Sequence, residues 1–196
     1  VEIIVGENDP GLIYDMAING SGIYFTGEFG SVGDTARNHL AAVNTSGALL
    51  PWNPNVGDAV GYAIDLDSSG NILWGSYFAS TACGSALGGI MVSINNSASC
   101  SVNWTAEANS AIYDIYYASG TNTVYVGFDG DAIGVVTRYG IFALNNTNGS
   151  LITGFNAGGG PGNVVYKIKP YGSALIVGGD FANIGGGTYN NIAAIL

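Results

Sequence analysis

Tyr14-Asp15-Met16-Ala17-Ile18-Asn19-Gly20-Ser21-Gly22-Ile23-Tyr24-Phe25-Thr26-Gly27 is an apolar run, a turn, and a second apolar run closed by glycine. Each run is too short for a helix, and the Asn, Gly and Ser between them form turns, so the stretch reads as a β-hairpin. It recurs. Tyr62-Ala63-Ile64-Asp65-Leu66, Tyr113-Asp114-Ile115-Tyr116-Tyr117 and Tyr166-Lys167-Ile168-Lys169-Pro170 open in the same way, and Gly75, Gly127 and Gly179 stand where Gly27 does. The tyrosines at 14, 62, 113 and 166 are spaced by 48, 51 and 53 residues.

A third run follows a glycine-rich loop in every unit: Leu40-Ala41-Ala42-Val43, Met91-Val92-Ser93-Ile94, Ile141-Phe142-Ala143-Leu144 and Ile192-Ala193-Ala194-Ile195. A fourth carries Trp52, Trp104 or Phe155 before the chain returns to the next tyrosine. Four-stranded antiparallel units repeating at one spacing predict an all-β, four-bladed β-propeller-like array, in which each sheet buries both faces against its neighbours. That explains runs that are almost continuously apolar instead of alternating. A single domain over 1–196 is expected, with units at about 12–58, 59–110, 111–162, and 163–196 plus 1–6.

The last unit lacks a fourth run, and Val1-Glu2-Ile3-Ile4-Val5 has the character of the missing strand. The apolar edge from Ile192 to Ile195 needs a partner, because an unpaired edge strand aggregates. Val1, Ile3, Ile4 and Val5 can pair with it in the same chain, closing a ring, or in another molecule, giving head-to-tail association. An effective concentration on the order of millimolar favours the first route, with strand donation as the alternative.

The composition excludes some classes of function. Four basic residues (Arg37, Arg138, Lys167, Lys169) against fourteen acidic ones give a net charge of −10, which repels a phosphate backbone and predicts no nucleic-acid partner. No apolar run reaches the roughly eighteen residues of a spanning helix, so membrane insertion is not expected. Only 9% of residues are charged, and the surface must be finished by Asn, Ser, Thr, Gly and Tyr, as suits a secreted protein, extracellular or at the cell surface. A start at Val1 without a leader is expected of a processed protein or an excised fragment. Asn19, Asn44, Asn95, Asn103, Asn145 and Asn148 open N-x-Ser/Thr sequons and are glycosylation candidates; the other reading is Asn-rich turns that happen to precede hydroxyl residues. Cys83 and Cys100 can close a disulfide if the long loop holding Cys83 folds back.

Thr26-Gly27-Glu28-Phe29, Gly33, Arg37, Leu40-Ala41-Ala42-Val43-Asn44, Gly47, Leu49, Trp52 and Pro54 together resemble the delta-60 repeat of bacterial extracellular and surface proteins. Gly178-Gly179-Asp180-Phe181 with Ile192-Ala193-Ala194-Ile195 is similar to the same pattern. The second unit departs at Gly75-Ser76-Tyr77 and the third at Gly127-Phe128-Asp129. The resemblance implies a β-propeller on an exported protein, a fragment of a longer array included, and carries over no catalytic residue.

Among candidate sites, His39 is the only histidine, and the matching positions hold Ile90, Gly140 and Asn191, so it reads as a loop residue and not a catalytic base. Asp15 and Asp114 follow the repeated tyrosine where the fourth unit has Lys167, so two carboxylates and an ammonium converge if those strands line an axis. A structural salt bridge is the first reading there; a polar-ligand site and a two-carboxylate glycosidase follow. Asp65-Leu66-Asp67-Ser68-Ser69-Gly70 opens like a calcium loop but has Ser76 where the loop needs an acid, and Asp129-Gly130-Asp131 offers only two carboxylates; no metal and no cofactor are predicted. Tyr77, Tyr139 and Tyr189, in or beside the long loops, are candidates for stacking on sugars. The expected function is a non-enzymatic structural or adhesive protein that self-associates into a filament or surface layer, with a lectin-like glycan binder as the alternative.

Overall fold

The computed structural model describes residues 11–78, 81–87 and 89–195. Every regular element among them is a β-strand. The first unit forms β1 (Leu12–Asn19), β2 (Gly22–Glu28) and β3 (Leu40–Val43), an antiparallel sheet in that order. The second forms β4 (Gly61–Leu66), β5 (Ile72–Ser76), β6 (Met91–Ile94) and β7 (Val102–Ala106). The third forms β8 (Ile112–Ala118), β9 (Thr123–Phe128) and β10 (Ile141–Asn145), and the fourth β11 (Val164–Tyr171), β12 (Ala174–Asp180) and β13 (Ile192–Ile195).

The first strands β1, β4, β8 and β11 pack side by side in chain order, and the sheets stack outward from them in a propeller-like arrangement. Each junction has its own core. Tyr24, Leu40, Ala42 and Trp52 meet Ile64, Ile72, Trp74 and Val92. Leu73, Met91 and Trp104 meet Ile115, Val126, Phe142 and Leu144. Ile141 and Tyr125 meet Ile168, Val177, Ala193 and Ile195. β6 lies between two sheets, and the outer side of β3 is covered by Phe29 and Val32, so both strands are buried at every residue, whereas β13 alternates between exposed and buried.

Two expectations need correction. A fourth strand forms only in the second unit, among the described residues. Val102-Asn103-Trp104-Thr105-Ala106 is free of Pro and Gly, but Pro51 and Pro54 flank Trp52, and Gly154, Gly158, Gly159, Gly160 and Pro161 interrupt the Phe155 segment, removing donors and stiffness that a ladder needs. Trp52 is nevertheless buried, and its Nε1 donates to Asn95 O at 3.0 Å, tying the first sheet to the second. Second, Gly75 and Gly127 are not the structural counterparts of Gly27. Ile13 faces Gly27, but Gly61 faces Ser76 and Ile112 faces Phe128, because the intervening hairpin turns differ in length.

The loops between the second and third strands of the units are themselves ordered. Each holds a two-by-two hairpin whose inward residue, Val32, Ala82, Ile133 or Ile184, is buried and joins a junction core or, for Val32, the cluster on the outer face of the first sheet.

Val1, Ile3, Ile4 and Val5, expected to complete the last sheet, lie outside the described residues. Among the described residues, β1 and β11 pack less closely than neighbouring first strands do, yet residues 15–18 and 167–170 border one hollow. The outward face of the first sheet exposes Met16 (55%) and Ile18 (65%); that of the last exposes Ile192 (66%).

Candidate functional site

The first strands come close along the axis without pairing as a ladder, so some of their N–H groups need acceptors from side chains. Three aspartates supply them, each reaching to the next strand. Asp15 Oδ2 accepts the Ile64 N–H at 3.0 Å, Asp65 Oδ2 the Tyr117 N–H at 2.7 Å, and Asp114 Oδ2 the Ile168 N–H at 2.6 Å. Asp15 and Asp114 stand one residue after the repeated tyrosine and Asp65 three, and alternation along a strand puts both positions on one face. The fourth strand of the series has Lys167 and Lys169 at those positions. These groups line a hollow of about 450 Å³.

Asp114 also accepts from Lys167 Nζ at 3.3 Å, the salt bridge expected from the sequence. With the lysine side chain 58% exposed, that pair contributes little; the bond to the buried Ile168 N–H dominates. Burial pushes the Asp65 carboxyl up, the N–H bonds from Tyr117 and Leu66 pull it down, and the Asp114 and Asp15 charges raise it further. Burial likewise raises Asp114, opposed by the Ile168 N–H and by Lys167 and Lys169. In Asp15 and Asp65 both oxygens accept backbone N–H, so they act as fasteners between sheets. In the sequence Asp65 reads only as the opening of a calcium loop, not as a member of the axial group. Its place three residues after the tyrosine was the available signal.

The repeated tyrosines occupy a β-bulge in every unit: the register skips Tyr14, Tyr62, Tyr113 and Tyr166. A bulge turns its side chain out of the strict alternation. The four rings form a row, with centroids 5.0, 5.9 and 5.1 Å apart. Burial and then Asp129 push the Tyr113 phenol up, and burial and the Glu28 bond do the same for Tyr14, so both remain neutral. Tyr77 packs against Tyr62 at 6.5 Å. Tyr139 lies between a loop hairpin and β10, and Tyr189 lines a separate hollow with Phe155, so among the described residues no ring contact joins these three loop tyrosines.

His39 has φ 59°, and the equivalent Gly140 and Asn191 have φ 68° and 67°. Its Nδ1 lies 3.1 Å from Gly27 O, just as Asn191 Nδ2 donates to Gly179 O at 2.9 Å. The position selects residues that tolerate left-handed backbone. Five of the six sequons are turns in which the Asn Oδ1 accepts the N–H of the Ser or Thr two residues on: Asn19, Asn44, Asn95, Asn145 and Asn148. Asn103 instead donates to Ser93 Oγ. All six lie at the end of the sheets opposite the tyrosine row, at strand termini or in the turns that follow them.

Asp67 is part of a turn, not a calcium loop: its carboxylate accepts from the Ser69 and Asn71 N–H groups and from the Asn71 and Asn146 amides. Burial would raise it, but those bonds together hold it below the ordinary range. Asp131 is engaged by Asn109 at 2.6 Å. No group of three or more His, Cys, Asp or Glu side chains fit to hold a metal occurs among the described residues. Cys83 and Cys100 form the disulfide, 17 residues apart with Cα atoms 5.4 Å apart, the loop folding back as the pairing requires.

No family model matches the chain, so the likeness to the delta-60 repeat stands on the quoted residues alone. No curated protein matches it in sequence. Among solved structures it is similar to the computationally designed Ika4 protein, at 12% identity over 100% of this chain and 99% of that one, with a TM-score of 0.63. It is similar also to the computationally designed Ika8 protein, at 13% identity and TM-score 0.61, over 98% of this chain but 49% of that one. The chain thus spans about half the length of Ika8. A WD40 β-propeller domain of Doa1 aligns over 100% of this chain and 85% of that one at 12% identity, with a TM-score of 0.33, too distant to argue from. At such identities the likeness concerns the fold alone.

Proposed function

We propose that this protein is a non-enzymatic, extracellular structural repeat protein that works by joining end to end with further copies of itself. One observation carries the reading: Met16 and Ile18 on β1 and Ile192 on β13 are exposed apolar side chains at positions that are covered at the inner junctions. Met16 and Ile18 occupy, on the first sheet, the positions at which Ile64 and Leu66 of the second face the preceding sheet, and Met16 is 55% exposed where Ile64 is 3%. Ile192 holds on β13 the place that Leu40 holds on β3, 66% exposed against 0%. Ile64 and Leu40 share a core, and a second copy offers Met16 to Ile192 in the same relation.

The disulfide suits an oxidising location, outside the cell or at its surface. The sequons, gathered at one end, leave both joining faces clear of any attached glycans.

Sedimentation velocity over a dilution series tests this. The wild type is expected as concentration-dependent multimers, and Met16→Asp or Ile192→Asp as monomers with unchanged thermal midpoints. A wild type that is monomeric at every concentration contradicts the reading.

A further inference from the structure

The tyrosine row has no part in end-to-end joining. None of its four rings belongs to a core between sheets. Tyr14 is 40% and Tyr166 45% exposed, and Tyr77 (58%) and Phe78 (44%) extend the row sideways from Tyr62, with Tyr77 and Phe78 centroids 6.0 Å apart. Six aromatic rings in continuous contact thus lie at one end of the sheets, four of them exposed and Tyr62 and Tyr113 half-buried, on a chain with only 9% charged residues. Contiguous exposed aromatic surface marks binding sites. Packing accounts for it only in part: the ring contacts link neighbouring first strands at one edge, yet none of the rings enters a junction core.

The chemistry of the row narrows the ligand. Phenol rings present an apolar face and a hydroxyl at the rim, which matches a pyranose with its C–H face and ring of hydroxyls. Carboxylates stand alongside as acceptors: Tyr14 Oη donates to Glu28 Oε2 at 3.2 Å, and Asp129 lies close enough to Tyr113 to perturb its phenol. No lysine or arginine belongs to the row, so nothing there would offset a sulfate, phosphate or uronate. The rings follow one another at roughly the repeat of a sugar chain. We propose that Tyr14, Tyr62, Tyr113 and Tyr166, with Tyr77 beside them, form a binding track for a neutral oligosaccharide chain.

Isothermal titration of the full chain with cellohexaose, mannohexaose and chitohexaose, and with a hexagalacturonate as the anionic probe, tests the track. At least one neutral hexasaccharide is expected to bind and the anionic one not to. Tyr14→Ala with Tyr166→Ala should weaken binding on the order of tenfold without moving the thermal midpoint, because both rings are half exposed. Tyr14→Phe with Tyr166→Phe should keep most of the affinity. The absence of binding to all three neutral probes at millimolar concentration, an equal response to hexagalacturonate, or affinity indifferent to the alanine pair overturns the proposal. None of these results bears on the joining of copies, which uses other residues.

Discussion

Asp65 is where two opposing effects can be separated. Its carboxylate satisfies the Tyr117 N–H, yet it is half buried and lies near the charges of Asp15 and Asp114. Asparagine keeps an acceptor oxygen and removes the charge, so Asp65→Asn should be neutral or stabilising at pH 7. Alanine removes the acceptor and should cost about 1–3 kcal/mol. Chemical denaturation of both variants checks the pair, and two variants of equal stability would contradict the fastener role. His39 offers a similar contrast. At φ 59°, His39→Asn reproduces the solution found at Asn191 and should be tolerated, while His39→Val should lose about 1–2 kcal/mol, because β-branched residues resist left-handed backbone. Equal thermal midpoints for the two would contradict it.

The first strands, taken as elements, make stability depend on pH. Asp65 and Asp114 sit above the ordinary carboxylate value, so the folded chain holds their protons more tightly than the unfolded chain does. The stability they contribute is fully present below the ordinary pKa of about 4 and is lost as pH rises through the raised values. Asp67 runs the other way, its contribution present above the ordinary value and lost as pH falls through the lowered one. Melting curves from pH 3 to 7 should therefore show Asp65→Asn gaining on the wild type as pH rises; a constant difference would contradict the raised pKa. The disulfide ties the loop hairpin holding Cys83 to the turn after β6 across 17 residues, and Cys83→Ser with Cys100→Ser should cost about 3 kcal/mol in the same melts. A loss within error would mean that the loop keeps its place unaided.

The three main strands of each unit were legible because tyrosine, turn and apolar run recur in a fixed order. The small hairpins were not, since their two-residue strands are too short to leave a pattern and gain stability only from the core that Val32 or Ile184 enters. The axial salt bridge was readable from Asp114 and Lys167. The larger part of that site, carboxylates taking backbone N–H groups from the next sheet, depends on contacts some fifty residues apart, which spacing alone does not reveal.

For the whole molecule, the central question is what meets the outer faces of the first and last sheets. In the inner junction, Ile64 of one sheet and Leu40 of the preceding one share a core, and Met16 and Ile192 are their counterparts on the two outer faces. A chain carrying Met16→Cys and Ile192→Cys, oxidised at micromolar concentration and run on a non-reducing gel, distinguishes the alternatives. End-to-end joining predicts a ladder of cross-linked dimers and higher species that collapses on reduction. A cross-linked monomer, in which the two added cysteines bridge within one chain, or the absence of any cross-link, would contradict it.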